Sequence, residues 1–259
     1  MKNIKNTLLL VLLLGLCPPA FANVHNLKRA EFEFHVGPAF PMGKFGKKAF
    51  PSFSETASGM YRLDYHGAKI GVNYGLAFQY YATPHWGILV MFNGHSNKVS
   101  ANDFSPFKPA GSANLDWNTS SKGKWSEFMA MAGMTFRVSL FSRMTLAFRA
   151  YLGYAHLVAP YYSSEAKSQN TNYAFQLKSA SDANFGYGAG AALKFLISRG
   201  FHLDIRCDYM GAVPFYFRRV KSTLVTDIPN VQIPDREFRN TFHENFSMIN
   251  LSFGFTVAF

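Results

Sequence analysis

The sequence contains little cysteine, little charge and no long apolar run after its N-terminal segment. Its two cysteines are Cys17 and Cys207, and if the segment that holds Cys17 is removed, the remaining chain cannot form an internal disulfide. Only 16% of the 259 residues are charged, whereas 17% are aromatic. After residue 22 no stretch approaches the ~20 apolar residues that a membrane-spanning helix needs. So many aromatics are unusual on a soluble surface, but a protein that exposes aromatics to lipid would have this composition.

Metal sites and nucleic-acid binding also find little support in the sequence. The eight histidines are dispersed without metal-binding spacing, so no metal or other cofactor is predicted. The chain has 26 basic and 15 acidic residues, and nucleic-acid binding is one interpretation of such an excess. The basic residues are scattered, however, and an exported chain rarely meets nucleic acid. We therefore expect no nucleic-acid partner.

The first 22 residues have the pattern of a secretory signal peptide. Lys2 and Lys5 supply the positive start, and residues 8–16 form an apolar run. The small-residue site at 20–22 predicts cleavage after it. The run is too short for a membrane anchor. We expect residues 23–259 to form one exported domain.

Alternation of apolar and polar residues predicts eight β-strands. In the last of them, every odd position is large and apolar, every even position is small or polar, and the final residue is Phe259. A strand turns successive side chains to opposite faces, so this segment has one apolar and one polar face. The predicted strands are residues 31–37, 69–81, 86–93, 125–140, 144–156, 185–198, 201–213 and 249–259.

The connections between these strands alternate in length. Three are tight turns, at residues 83–85, 142–143 and 199–200, and the other four are much longer. Short periplasmic turns and long outer loops are typical of outer-membrane barrels. The sequence therefore predicts an all-β fold, an eight-stranded antiparallel up-and-down transmembrane β-barrel. We expect it to be a monomer in the bacterial outer membrane.

This plan resembles that of small outer-membrane β-barrel families. The features that carry the resemblance are the strand plan, the closing Phe259 and the Pro-Met-Gly-Lys-Phe-Gly segment at 41–46. The chain is similar to OmpA/OmpX-type eight-stranded barrels, and most closely to the Bacteroidetes barrel proteins, including the PorT-type barrels of a secretion apparatus. In such families the barrel-assembly machinery reads the terminal strand. The resemblance implies that role for Phe253, Phe255, Val257 and Phe259.

The inner faces of the predicted strands carry a nearly balanced set of charges. An eight-stranded barrel is just wide enough for its own side chains to fill, and buried charges must be paired. We therefore expect a salt-bridged plug rather than a wide pore. Gly186, Gly188 and Gly190 share this inner face and leave room for larger neighbours such as Tyr151 and Met131. The inward charged residues are Glu31, Glu33, Glu127, Arg137, Arg149, Lys194, Asp204, Arg206 and Asp208.

Basic residues in the long connections are candidate contacts for the phosphates of lipopolysaccharide. The alternative is an ordinary solvated loop surface. The candidate residues are Lys44, Lys47, Lys48, Arg218, Arg219 and Lys221.

One short cluster, His95-Ser96-Asn97, resembles a stretch of outer-membrane lipid A deacylases. Nucleophilic catalysis needs a serine beside a base, and a base oriented by an acid. Adjacent residues on a strand face opposite ways, so His95 and Ser96 would not pair if the strand continues through them. No acid falls at a convincing spacing.

Three functions stay open from the sequence alone. The leading hypothesis is a structural or surface-interaction role carried by four long extracellular loops, which would contact lipopolysaccharide, a host surface or another envelope protein. The second is a narrow, porin-like passive channel. The third, a lipid A-modifying hydrolase, has the least support.

Overall fold

A computed structural model describes residues 28–47, 67–99, 117–168, 171–227 and 236–259. The predicted signal peptide and Lys48 lie outside these ranges. Within them, no helix is long and apolar enough to cross a membrane. The strands are β1 (Ala30–Pro41), β2 (Ala68–Tyr81), β3 (Trp86–Val99), β4 (Trp117–Lys122), β5 (Lys124–Phe141), β6 (Met144–Ala159), β7 (Tyr161–Ser168), β8 (Thr171–Leu177), β9 (Ala180–Ser198), β10 (Phe201–Ala212), β11 (Phe215–Asp227), β12 (Arg236–Glu244) and β13 (Ser247–Ala258).

Eight of these strands form a closed antiparallel barrel in the order β1-β13-β10-β9-β6-β5-β3-β2. The barrel closes because β1 pairs with β2 on one side and with β13 on the other. The predicted fold class and all eight predicted strands are confirmed. The main differences in length are that β1 and β3 continue beyond residues 37 and 93, and that β9 starts before residue 185.

The two ends of the barrel differ, and we name them the turn end and the loop end. The turn end holds three short turns, at residues 82–85, 142–143 and 199–200. The start of β1 and Phe259 lie at the same end. There, the backbone N–H of Ala30 donates to the carbonyl of Phe259 at 3.1 Å, and the N–H of Phe259 donates back at 2.9 Å. The four long connections leave from the loop end.

A second, five-stranded sheet lies beyond the loop end, in the order β12-β11-β8-β7-β4. Each of its strands adjoins a barrel strand along the chain, and the barrel neighbours follow in the matching order β13-β10-β9-β6-β5. The sheet therefore continues five-eighths of the barrel wall. The breaks between wall and sheet include Gly123, whose φ of 134° favours glycine, and Pro160 and Pro214, which cannot donate to a ladder.

The sequence interpretation of these segments as loops is wrong for the three connections that carry β4, β7–β8 and β11–β12. Its error has a physical cause. Residues 117–122 (Trp-Asn-Thr-Ser-Ser-Lys) and 161–168 (Tyr-Tyr-Ser-Ser-Glu-Ala-Lys-Ser) consist mostly of polar residues. A strand outside the lipid needs no apolar outer face, so alternation does not reveal it.

The barrel is apolar outside and polar inside. On its outer face Ile70, Ile88 and Phe253 are each about 60% exposed, whereas Glu33 and Asp204 on the inner face are fully buried. Inward glycines make room for large neighbours, as the sequence predicts: a Cβ at Gly188 would lie 2.3 Å from Cε2 of Tyr151. This arrangement inverts that of a soluble protein and suits a barrel surrounded by lipid.

Candidate functional site: the filled barrel interior and its two ends

Glu33 on β1 is the centre of an ion-pair network in the turn-end half of the interior. Its Oε1 lies 3.2 Å from Nη1 of Arg149 and also accepts a short hydrogen bond from Arg206. Its Oε2 lies 3.5 Å from Nζ of Lys194 and accepts from Nε2 of Gln79 at 2.9 Å. One carboxylate thus faces three cations, contributed by the three consecutive strands β10, β9 and β6.

Glu31, two residues earlier on the same inner face, extends the network towards the turn end. Its oxygens lie 2.5 Å from Nη1 of Arg137 and 2.6 Å from Nζ of Lys194. The Arg137 guanidinium also donates to two backbone carbonyls at 3.0 Å and lies 3.5 Å above the ring centroid of Tyr81. Arg137 is therefore held by charge, hydrogen bonds and a cation–π contact together.

Asp208 closes the other side of the network. It accepts from Nη2 of Arg206 at 2.8 Å, and the Tyr151 hydroxyl donates to it at 3.3 Å. Ion pairs therefore connect seven of the nine inward charged residues that alternation predicts. Asp204 is adjacent but uses a hydrogen bond from the Thr256 hydroxyl, at 2.5 Å.

A layer of five buried methionines lies against this network on its loop-end side. Two of the sulfurs accept hydrogen bonds from polar neighbours: Met91 from Nη2 of Arg206 at 3.6 Å, and Met210 from Nδ2 of Asn93 at 3.4 Å. Unbranched thioether side chains fill irregular gaps well. All five follow the inward alternation of their strands. The methionine layer consists of Met91, Met129, Met131, Met210 and Met248.

Glu127, the ninth predicted charge, lies apart from the network and pairs with His95. Its Oε2 is 2.7 Å from Nδ1 of His95, whose Nε2 is 2.9 Å from Nδ2 of Asn250. The sequence predicts no acid partner for His95, because Glu127 lies far from it along the chain. Glu127 is its direct partner in the neighbouring strand, so cross-strand register was the missing signal.

Ser96 does not share this pocket. Strand β3 runs through it to Val99, so His95 is buried inside the barrel while Ser96 alternates to the outer face. The arrangement has a base and an acid but brings Ser96 to neither. Chemically it is a buried contact between an imidazole and a carboxyl group, without the nucleophile that the sequence suggested.

An aromatic cap closes the interior at the loop end, under the second sheet. Phe45, from the segment after β1, lies 5.4 Å from Trp125 and 5.2 Å from Phe246 between ring centroids. On β11 and β12, Phe217 and Phe242 stack at 4.7 Å. The cap consists of Phe45, Trp125, Phe215, Phe217, Phe242 and Phe246, all buried.

At the turn end the interior instead opens into a cavity of about 620 Å³. Its inner wall is the Glu31–Arg137–Lys194 part of the network, and its mouth includes Lys28 and Arg199. The interior is thus open at one end and capped at the other.

The remaining predicted residues lie on outer surfaces. Phe253, Phe255, Val257 and Phe259 all point outward along β13 and its end, and are between 40% and 63% exposed. Of the six candidate lipopolysaccharide contacts, Lys44, Lys47 and Arg218 are exposed at the loop end, and Lys221 is partly buried. Only the backbone of Arg219 is described. The structure thus brings these candidates to one end of the molecule but not into one cluster.

No cluster of three or more histidine, cysteine, aspartate or glutamate side chains that could hold a metal ion occurs in the described ranges. Cys207 is a free cysteine exposed on the outer barrel face.

No protein-family model matches the sequence, and no curated protein matches it significantly. Solved structures share its general architecture. Neisserial surface protein A is 12% identical, with 89% of this chain and 97% of that chain covered and a TM-score of 0.39. Ail, the attachment invasion locus protein of Yersinia pestis, is 16% identical, with 88% and 99% covered and a TM-score of 0.38.

The outer membrane protein OprG from Pseudomonas aeruginosa is 11% identical, with 92% and 100% covered and a TM-score of 0.43. With such low identities and scores, these likenesses add nothing to the barrel topology that the strand pairing itself shows.

Proposed function

We propose that this chain is an integral protein of the bacterial outer membrane with a structural or surface-interaction role. The observation that carries the proposal is the inverted polarity of a closed barrel: an apolar outer face around an interior filled by ion pairs, methionines and an aromatic cap. A closed barrel leaves no strand edge unpaired in lipid, and its outer face needs no water. Export by the predicted signal peptide fits this location.

We place the turn end in the periplasm and the loop end outside the cell. Short turns face the periplasm in outer-membrane barrels. The outward aromatic row that ends at Phe259 would then lie at the periplasmic rim of the lipid. This row is our candidate for the signal that the barrel-assembly machinery reads. Phe259→Ser should lower the amount of protein in the outer membrane, whereas Ser142→Ala at a neighbouring turn should not.

The interaction surface of the proposal is the five-stranded sheet beyond the loop end. It stands outside the barrel and ends at two strands, β12 and β4, each paired on one side only within the described chain. Unpaired strand edges are sites where another chain can add by backbone hydrogen bonding. This supports another envelope protein or a host surface protein as the partner.

Lipopolysaccharide is the second partner in this proposal. Lys44 and Lys47 are exposed in the segment after β1, and Arg218 is exposed on β11. Cationic side chains at this level would meet the anionic phosphates of the outer leaflet. Less lipopolysaccharide should copurify with a Lys44→Ala/Lys47→Ala variant than with an Arg143→Ala variant, in which the lost charge lies at the opposite end.

The filled interior gives no support to a passive channel, and the outward position of Ser96 gives none to a lipid A hydrolase. The absence of hydrolase activity can be tested directly. Mass spectrometry of lipid A from cells that carry the wild-type protein or Ser96→Ala should give identical spectra. A difference between the spectra would revive the hydrolase.

Labelling of single cysteines in intact cells tests the location and orientation. In a Cys207→Ser background, a membrane-impermeant maleimide should label Lys44→Cys but not Arg143→Cys, and lysis should make both reactive. Both positions are exposed, at opposite ends of the barrel. Recovery in the soluble periplasm, or equal labelling of both variants in intact cells, would refute the proposal.

A further inference from the structure

The turn-end cavity carries far more positive than negative charge. Its lining contains four permanent cations, Lys28, Arg137, Lys194 and Arg199, but a single carboxylate, that of Glu31. The cavity volume of about 620 Å³ is in the range of sites that hold small molecules. The rest of the network is balanced, so this excess belongs to the cavity and not to the interior as a whole.

Two of the four cations are already held in ion pairs within the protein. Arg137 and Lys194 both pair with Glu31, and Lys194 also faces Glu33 at 3.5 Å. They form the inner wall and cannot turn towards a ligand without breaking those pairs. The charge available to a ligand therefore comes from the other two cations.

Lys28 and Arg199 are these two, and both lie at the mouth. The only hydrogen bond from Lys28 Nζ within the described chain is to the carbonyl of Ala258, at 3.0 Å, which satisfies one of its three donors and none of its charge. For the Arg199 guanidinium the described chain supplies no hydrogen bond or ion pair. Both side chains are exposed, so they reach the cavity from its rim without having to leave a packed position.

Neutral donors complete the lining. The hydroxyls of Ser139, Ser142 and Thr145 come from the end of β5, the turn and the start of β6. Nδ1 of His202 is shielded from solvent and has no hydrogen bond to any described residue. Two cations and several hydroxyls around a small cavity form a donor set suited to oxyanions such as carboxylate or phosphate.

We propose that the turn-end cavity is a binding site for a small solute that bears a carboxylate or phosphate group, held by Lys28 and Arg199. Within the described ranges the interior opens at the turn end, because the methionine layer and the aromatic cap close the other end. The solute enters and leaves on the same side and does not cross the barrel. This site does not depend on the proposed surface-interaction role, since it lies at the opposite end of the molecule.

Calorimetric titration of the mature protein in neutral detergent, at constant ionic strength, tests the site with inorganic phosphate and succinate as probes. We expect saturable binding of at least one probe and about tenfold weaker binding in Lys28→Ala and in Arg199→Ala, since each removes a charge-assisted contact. Arg143→Ala is the matched control. Arg143 is an exposed arginine in the turn that contains Ser142, but it does not line the cavity. The affinity of this variant should stay within about twofold of wild type.

Two results would overturn the proposal: no saturable binding of either probe, or an equal loss of affinity in Arg143→Ala. Unchanged heat-modifiable gel mobility verifies that each variant is folded. Repeating the titration in nanodiscs with and without phosphatidylglycerol separates two sources of the anion. If phosphatidylglycerol weakens the binding of the probe, the site takes a lipid headgroup at its mouth. If the affinity for the probe is the same in both kinds of nanodisc, the site takes a free solute.

Discussion

The two halves of the barrel interior are filled in different ways. In the turn-end half, seven charged side chains from several strands pair with one another around Glu33. In the loop-end half, methionines and aromatic rings pack together, with the His95–Glu127 pair as an enclosed polar contact. Both halves fill the interior with side chains. The turn-end half does so with ion pairs, which need specific partners. The loop-end half does so with apolar packing, in which a side chain of similar size can replace another.

This difference predicts in which half a substitution lowers the stability of the protein more. Removal of one member of a buried ion-pair network leaves its partners charged and unpaired, which costs more than the pair itself contributed. Removal of one apolar side chain costs the lost burial and a cavity, and a similar side chain recovers most of it. Three substitutions and a change of salt concentration test this contrast, and their effects on stability should decrease in the order given below.

Glu33→Ala should be the most destabilising of these changes. It leaves Arg149 without its closest ion pair and takes a carboxylate away from Arg206 and Lys194. The free energy of unfolding should fall by about 4 kcal/mol. Urea unfolding in lipid vesicles measures it. Glu165→Ala, which removes an exposed carboxylate on β7, is the control and should change stability by less than about 0.5 kcal/mol. Similar values for the two variants would contradict the network.

Phe45→Ala should lower the free energy of unfolding by about 3 kcal/mol, because it removes a buried ring from between Trp125 and Phe246. The same urea titration gives the value. Lys44→Ala, the exposed neighbour in the same segment, serves as the control for the backbone. If Phe45→Ala and Lys44→Ala both had the same free energy of unfolding as wild type, Phe45 would not belong to a packed cap.

Met129→Leu should cost less than about 1.5 kcal/mol, since the two side chains have similar volumes and the methionine layer is held by packing. The free energy of unfolding measures this cost, and near-ultraviolet circular dichroism shows whether the side-chain packing is retained. A loss as large as that of Glu33→Ala would show that the loop-end half depends on specific contacts as much as the turn-end half does.

Raising the salt concentration should have the smallest effect. Pairs that are shielded from solvent are screened far less than surface pairs, so an increase from about 0.1 to 1 M sodium chloride should change stability by less than about 0.5 kcal/mol. Unfolding curves at the two salt concentrations supply the comparison. A large decrease would mean that water and ions reach the Glu33 network.

Much of the barrel could be predicted from the sequence, because lipid outside and charge inside give every transmembrane strand a strong alternation. That is why Glu33 and Arg149 could be assigned to the inner face. Their pairing could not be read, because each contact crosses the barrel between strands far apart in the chain. The partner of His95 was missed for a related reason: Glu127 is opposite in register and distant in sequence.

Strands β4 and β7 of the second sheet escaped prediction because their sequences are mostly polar and lack a clear alternation. Residues 117–122 resemble a loop in composition. Likewise, Phe45 gave no sign of being a cap residue, since its partners come from β5 and from the segment before β13. The cavity at the turn end could not be foreseen either, because its lining combines residues at two turns with Lys28 and Ala258, from the two ends of the described chain.

The central claim is a closed barrel whose interior is filled by its own side chains. Conductance recorded across a planar lipid bilayer that contains the purified wild-type protein tests this claim most directly. We predict no stepwise conductance, with a known porin inserted under the same conditions as the positive control. Reproducible single-channel steps from the wild-type protein would contradict the filled interior and restore the passive channel.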